Sequence, residues 1–261
     1  MIPQAYITAW RKQAPWQEDF QVEQDMVIER ALMAIYSDEY LREKLAFRGG
    51  IALHKLYLAP AARYSEDIDL VQITAEPFGP IIDRLREVLS FLGDHPARKQ
   101  KQHNNTLLYR FDSEGGIPLR LKIEVNCREH QTIFGVQQVK YGMASAWFTG
   151  EVFIATYELA ELLGTKMRAL YQRRKGRDLF DLWFAITQKK LDPSRIIASW
   201  RFYMEAEGHK VTQKEFLDNM ERKLKDSDFL TDMEGLLRPG IVCDMAEAHM
   251  FIKRIVLERI E

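Results

Sequence analysis

Residues 47–71 read FRGGIALHKLYLAPAARYSEDIDLV, and the order of residue types in this stretch decides the fold. An apolar approach meets Gly49-Gly50 and turns into a short amphipathic segment, IALHKLYL. A Pro/Ala loop follows, and the stretch closes on SEDIDLV, where acidic and apolar residues alternate. The pattern predicts strand, helix, strand. Glycines between a strand and a helix let backbone amides approach a phosphate, where the helix N-terminus adds its positive end. Side chains two apart in a strand point the same way, so Asp67 and Asp69 project together while Ile68 and Leu70 face a core. A phosphate cradle followed by same-facing carboxylates suits metal-dependent phosphoryl or nucleotidyl transfer, in which carboxylates hold magnesium and magnesium holds the triphosphate. The plain alternative is a hairpin turn with a solvated acidic edge strand.

The full spacing, GG-x-AL-x-x-x-Y and then R-x-S-x-D-x-D-L, resembles the first motif of the AbiEii/AbiGii nucleotidyltransferase toxins. That family includes the MenT toxins and belongs to the DNA polymerase β-like nucleotidyltransferase superfamily. The matching positions are Gly49, Gly50, Ala52, Leu53, Tyr57, Arg63, Ser65, Asp67 and Asp69. A bare GG or D-x-D arises by chance, whereas the motif at this length is specific. The resemblance implies an α+β fold: a polymerase β-like core of mixed sheet and flanking helices, followed by a C-terminal helical bundle. It also implies transfer of a nucleoside monophosphate from an NTP to an acceptor hydroxyl, with Mg2+ or Mn2+ as cofactor. The acceptor implied is RNA, for some members the tRNA 3′ end, and the context is the toxin of a toxin–antitoxin or phage-defence pair with a cognate antitoxin. A catalytically silent nucleotide-binding regulator, or a nucleotidyltransferase acting on small molecules or proteins, would use the same fold.

Composition is compatible with this. The chain has 261 residues, enough for one large domain or two small ones. Its formal net charge of -1 gives no global basic clamp for nucleic acid, although local basic patches remain open. The two cysteines, Cys127 and Cys243, have no metal-ligand spacing and fit a reducing compartment. No apolar run approaches the roughly 20 residues of a membrane span. The first residues, MIPQAYITAW, lack a signal peptide's basic head and long apolar stretch. A cytoplasmic protein without membrane association is expected.

Along the chain, residues 1–40 are expected to be helical, with Phe20, Val22, Met26, Val27, Leu32 and Ile35 at roughly helical spacing. FGPIIDRLREVLSFL, residues 78–92, predicts a second amphipathic helix ending at Gly93. TLLYRF and LRLKIEVN are strand-like and separated by the turn residues SEGGIP, which predicts a hairpin. In LRLKIEVN, Leu119, Leu121, Ile123 and Val125 share one face, and Arg120, Lys122, Glu124 and Asn126 the other. The superfamily carries a third carboxylate on a strand beside the D-x-D strand, and Glu124 is the best-placed candidate; a solvent-facing glutamate is the alternative. Between 130 and 155 the expectation is one short strand with loops. From 156 onward the chain reads as helical, so the domains expected are 1–155, a nucleotidyltransferase core, and 156–261, a helical domain completing the active site.

The helical half carries a second constellation, KMRALYQRRKGRDLFDL, residues 166–182. It resembles later motifs of the same family, with matches at Lys166, Lys175, Arg177, Asp178, Asp181 and Leu182. One continuous helix would separate Lys166 from Asp178 by roughly 18 Å at 1.5 Å per residue. A shared role therefore demands two helices, and Gly176 is the natural break. The resemblance assigns Lys166 to nucleotide phosphates and an essential role to Asp178, which could orient Lys166 or the acceptor or complete the metal shell. Metal ligands expected from the resemblance are Asp67, Asp69 and Glu124, with Glu124 as third ligand or base. Gly49, Gly50, Arg63, Ser65 and Lys166 are expected at the nucleotide's phosphates. Arg98 to Lys101 and Arg173 to Lys175 could contact RNA phosphates, or be solvated surface.

Overall fold

Two same-facing aspartates need a strand with paired neighbours, and the computed structural model of the chain, which describes residues 2–101 and 103–260, supplies one at the middle of a seven-stranded sheet. Gln102, in the polar stretch before the predicted hairpin, and Glu261, at the end of the last predicted helix, lie outside the described residues. The chain divides into two compact units, 1–157 and 158–261.

The first unit opens with α1 (Gln4–Trp10), α2 (Asp19–Ser37) and α3 (Glu39–Lys44). A capping box between Glu18 and Gln21 starts α2, and Val22, Met26, Ile28, Leu32 and Ile35 along it are fully buried. The deciding stretch then folds as β1 (Leu45–Arg48), α4 (Gly49–Ala52), a π-helical turn over Leu53–Tyr57, and β2 (Asp67–Gln72). Next come α5 (Gly79–Val88) and a short 3-10 turn, Ser90–Leu92, which stops at Gly93 with φ 117°. The strands β3 (Ala97–Gln100), β4 (Asn104–Asp112), β5 (Pro118–Asn126), β6 (Val136–Ala144) and β7 (Thr149–Tyr157) complete the unit.

The sheet order is β3-β4-β5-β2-β1-β7-β6. It is mixed: β2 runs parallel to β5 and β1 parallel to β7, while the β1–β2, β3–β4, β4–β5 and β6–β7 pairs are antiparallel. Alternation decides which face is covered. Ile68, Leu70, Leu121, Ile123 and Val125 are buried on one face, and Leu107 and Tyr109 of β4 join them. Asp67, Asp69, Lys122 and Glu124 lie on the other, partly open to solvent.

Between 130 and 155 the structure corrects the expectation of a single short strand. Two nine-residue strands, β6 and β7, form a hairpin whose turn is tied by Ser145 Oγ accepting from the Phe148 amide. β6 is an edge strand with mostly exposed side chains, so its place comes from backbone pairing to β7 and not from an apolar alternation. The sheet also continues through Tyr157, past the switch to helix expected at residue 155.

The second unit is helical: α6 (Leu159–Gln172), α7 (Gly176–Gln188), α8 (Pro193–Ala206), α9 (Gln213–Lys223), α10 (Ser227–Leu230) and α11 (Met245–Ile255). Asp192, Thr212, Asp226 and Asp244 each cap a following helix through a side-chain oxygen. Trp200 and Phe216 meet edge-to-face at 5.6 Å within its core. α6 and α8 touch at Gly164, where a methyl group would sit 2.3 Å from Ser199 Oγ. Among the described residues no helix is long and apolar enough to cross a membrane.

Candidate active site

Residues paired across neighbouring strands share a face, so the register fixes what stands beside the aspartates. Arg48 of β1 pairs with Asp69, Asp69 with Glu124 of β5, Glu124 with Thr106 of β4, and Thr106 with Lys99 of β3. These five side chains form one row. Asp67 pairs with Lys122 in the row alongside. Two strands far apart in the chain thus bring three carboxylates to adjacent positions on the open face.

Lys122 occupies the ground between them. Its Nζ lies 2.7 Å from Asp67 Oδ2 and 3.1 Å from Glu124 Oε2. Burial alone would lower the lysine, but the hydrogen bonds and negative charge of Asp67 and Glu124 outweigh it and raise it above its ordinary value. Asn104 Nδ2 donates to the other oxygen of Glu124 at 3.1 Å. One cation held by two carboxylates from adjacent strands is the donor chemistry that a hard divalent ion takes, so the residues fit such an ion. The carboxylates are not a finished cage: among the described residues, no three His, Cys, Asp or Glu side chains stand together ready to hold a metal.

The glycine turn closes over the same face. Gly49 has φ 83°, a conformation that other residues rarely adopt, and a methyl group there would sit 2.1 Å from Asp69 Oδ2. The Asp69 carboxylate therefore lies directly against the turn. At Gly50 a methyl would fall 2.4 Å from Arg63 Nη2. Arg63 is buried, at 2% exposure, and donates from Nη1 to the Tyr64 carbonyl at 3.1 Å, so its charge sits against the glycine turn. Ser65 is half-buried in the loop leading into β2. Arg48, at the end of β1, pairs with Glu129.

A buried network anchors the motif helix from its far side. Lys55, in the π-helical turn, reaches Asp25 Oδ1 and Glu29 Oε1 of α2, both at 2.7 Å. Tyr141 donates to the same Glu29 oxygen at 2.7 Å, and Trp10 Nε1 donates to Asp25 at 2.9 Å. Burial pushes the Glu29 carboxyl up. The same burial opposes charge on Lys55, yet Asp25 and Glu29 win and hold it well above its ordinary value. The glycine turn is fixed at its helical end by ion pairs inside the core.

In the second unit the basic stretch breaks the helix, as a shared role for Lys166 and Asp178 demands. Arg173 and Lys175 are extended, and α7 starts at Gly176. The reason for the glycine differs from the expected one. Gly176 does not have positive φ; it is glycine because a methyl there would lie 2.2 Å from the Phe229 carbonyl oxygen. Across the break, Lys166 Nζ is 2.9 Å from Asp181 Oδ2 and 3.4 Å from Asp178 Oδ1. Arg173 grips Asp178 with Nε at 2.7 Å and Nη2 at 2.8 Å. Asp178 also stands in the first turn of α7, where the helix dipole favours negative charge.

The rest of the basic run is matched by acids. Arg174 meets Asp226 at 3.1 Å, while Lys175 and Arg177 both reach Asp232, at 3.2 and 2.9 Å. Burial alone would lift the Asp232 carboxyl, but the Arg177 hydrogen bonds outweigh it and hold it below its usual value. Lys223 donates to the carbonyls of Leu170 and Tyr171 at the end of α6, and burial pulls its ammonium down to about 8.

Three contacts of the site are not legible in the sequence. Lys122 was visible as the same-face neighbour of Glu124, but its contact with Asp67 needs the β2–β5 pairing. The pairing of Asp181 with Lys166 needs the helix break, and that of Lys55 with α2 has no local signal.

Comparison with known proteins follows the same lines. The family described as "Nucleotidyl transferase AbiEii toxin, Type IV TA system" matches residues 30–242. Among solved structures, the chain is similar to MenT4, a nucleotidyltransferase toxin from Mycobacterium tuberculosis, with TM-score 0.64 and 15% identity over 100% of this chain and 91% of that one. It is also similar to JHP933 from Helicobacter pylori, with TM-score 0.54 and 13% identity over 91% of this chain and 90% of that one. No sequence among the curated proteins matches.

Proposed function

The chain belongs to the AbiEii family of nucleotidyltransferase toxins of type IV toxin–antitoxin systems, and from that premise we propose that it transfers a nucleoside monophosphate from an NTP to a hydroxyl of RNA, with a tRNA 3′ end as the first candidate. One observation supports this reading above the others. Asp67, Asp69 and Glu124 occupy adjacent positions on one open sheet face, with a glycine turn lying against Asp69. A cognate antitoxin is the expected partner, as the family's type IV description implies.

In this proposal Asp67, Asp69 and Glu124 hold Mg2+ or Mn2+. When bound, such an ion neutralises phosphate charge and favours in-line attack with departure of pyrophosphate. The amides of Gly49 and Gly50 and the hydroxyl of Ser65 hold the β- and γ-phosphates. Arg63 lends its charge from against the turn, a fixed cation that needs no reorganisation as negative charge gathers. Glu124 accepts the acceptor hydroxyl's proton or serves as third ligand. Lys166 and Asp178 carry the family's later motif: Lys166 supplies positive charge for nucleotide phosphates, and Asp178 with Asp181 orients it.

The test is incubation of the full chain with each labelled NTP, Mg2+ and total tRNA, wild type beside Asp69→Ala, followed by sequencing of tRNA ends. Nucleotides added to 3′ ends by wild type alone, together with growth arrest on induction, are expected. Label on a protein or small molecule, or binding with no pyrophosphate release, would remove the RNA assignment.

A further inference from the structure

Resting on the metal-dependent reading above, a further role follows from the lysine inside the carboxylate face. We propose that Lys122 is a resident counter-ion, whose ammonium holds the cation position between Asp67 and Glu124 until a divalent ion arriving with the nucleotide displaces it.

Geometry carries the inference. Lys122 stands opposite Asp67 in the β2–β5 register and two residues before Glu124 on its own strand, so a short reach satisfies both carboxylates, at 2.7 and 3.1 Å. A divalent ion drawn to the same oxygens must expel the ammonium or sit beside a like charge, and both oppose its entry. The other charges near the face do not relieve this. Arg48, in the row of Asp69, is engaged by Glu129, and Lys99 stands at the far end of that row. The side chain of Lys122 is one-third exposed, so its long stem can swing outward without opening the core. The nucleotide brings negative phosphates that give a displaced ammonium somewhere to go, and so ion and nucleotide favour each other's binding. The consequence is a toxin whose face holds a divalent ion poorly until substrate is present.

The experiment reads ion binding and not activity. Free Mn2+ is measured by electron paramagnetic resonance during titration of the full-length wild type, Lys122→Met and Lys122→Arg, first without nucleotide and then with a non-hydrolysable NTP analogue. Without nucleotide, Lys122→Met is expected to bind Mn2+ roughly tenfold tighter than wild type, and Lys122→Arg to stay close to wild type. With the analogue the gap should narrow. Equal or weaker binding by Lys122→Met overturns the counter-ion role alone. No Mn2+ binding by any of the proteins, with or without nucleotide, overturns the role together with the metal-dependent reading. Should Lys122→Met fail to fold, the wild type still decides: the lysine Nζ resonance must shift when Mg2+ and analogue are added together, and a stationary signal ends the proposal.

Discussion

The two charged clusters are built from the same groups and solvated in opposite ways. On the sheet face the side chains of Asp67, Glu124 and Lys122 are 42%, 31% and 33% exposed. In the helical unit Asp178 and Asp181 are fully buried and Lys166 is 9% exposed. Partly hydrated charges attract each other weakly, so partners on the sheet face can be exchanged at modest cost. Fully buried charges are held by each other, and removing one strands the rest in a poor solvent. The open cluster is suited to changing its occupant, and the closed one to keeping its geometry.

That contrast can be broken in four ways. Asp69→Ala or Asp67→Ala should lower nucleotide transfer at least about a thousandfold, about 4 kcal/mol of transition-state stabilisation, with little change in the urea midpoint. Single-turnover transfer beside a urea melt reads both, and a variant that unfolds instead would erase the distinction. Asp178→Ala should lower transfer and, unlike the sheet-face variants, also cost about 3 kcal/mol of stability, because Lys166 and Arg173 lose a buried partner. Replacing Lys166 and Asp178 together by apolar residues should cost less than the two single changes summed; strict additivity in the urea series would mean the pair is not coupled.

The third contrast sets the two glycines side by side. Gly176→Ala should lose about 2 kcal/mol by overpacking against the Phe229 carbonyl. Gly49→Ala should chiefly displace Asp69 and hurt transfer, which thermal melts and kinetics on both variants separate. The smallest effect is a pH dependence. The folded Asp232 carboxyl is held low, so it stabilises the protein above the unfolded carboxylate's range and that contribution fades as pH falls through the folded value. Asp232→Asn should therefore be less stable by about 1 kcal/mol near neutral pH and approach wild type once the pH has fallen through the folded carboxyl's lowered titration. A gap that persists in acid would assign the loss to packing.

Local patterns were readable where one period governs them. The alternation of SEDIDLV and LRLKIEVN set the faces of Asp67, Asp69 and Glu124, and the helical spacing expected from residue 156 onward appears in the structure from residue 159. β6 escaped because an exposed edge strand carries no apolar signature. The parallel alignment of β2 with β5, which puts Glu124 beside Asp69, depends on pairing between distant segments, and no single stretch encodes it. In the sequence Gly176 reads as a punctuation mark, whereas its actual constraint comes from Phe229, far along the chain.

The β2–β5 neighbourhood has a consequence for how the toxin is made. A ribosome releases β2 before β5, with β3 and β4 emerging between them. Until β5 pairs with β2, the acidic strand lacks Glu124 and Lys122 beside it, so the carboxylate face is assembled only after residue 126 has left the ribosome.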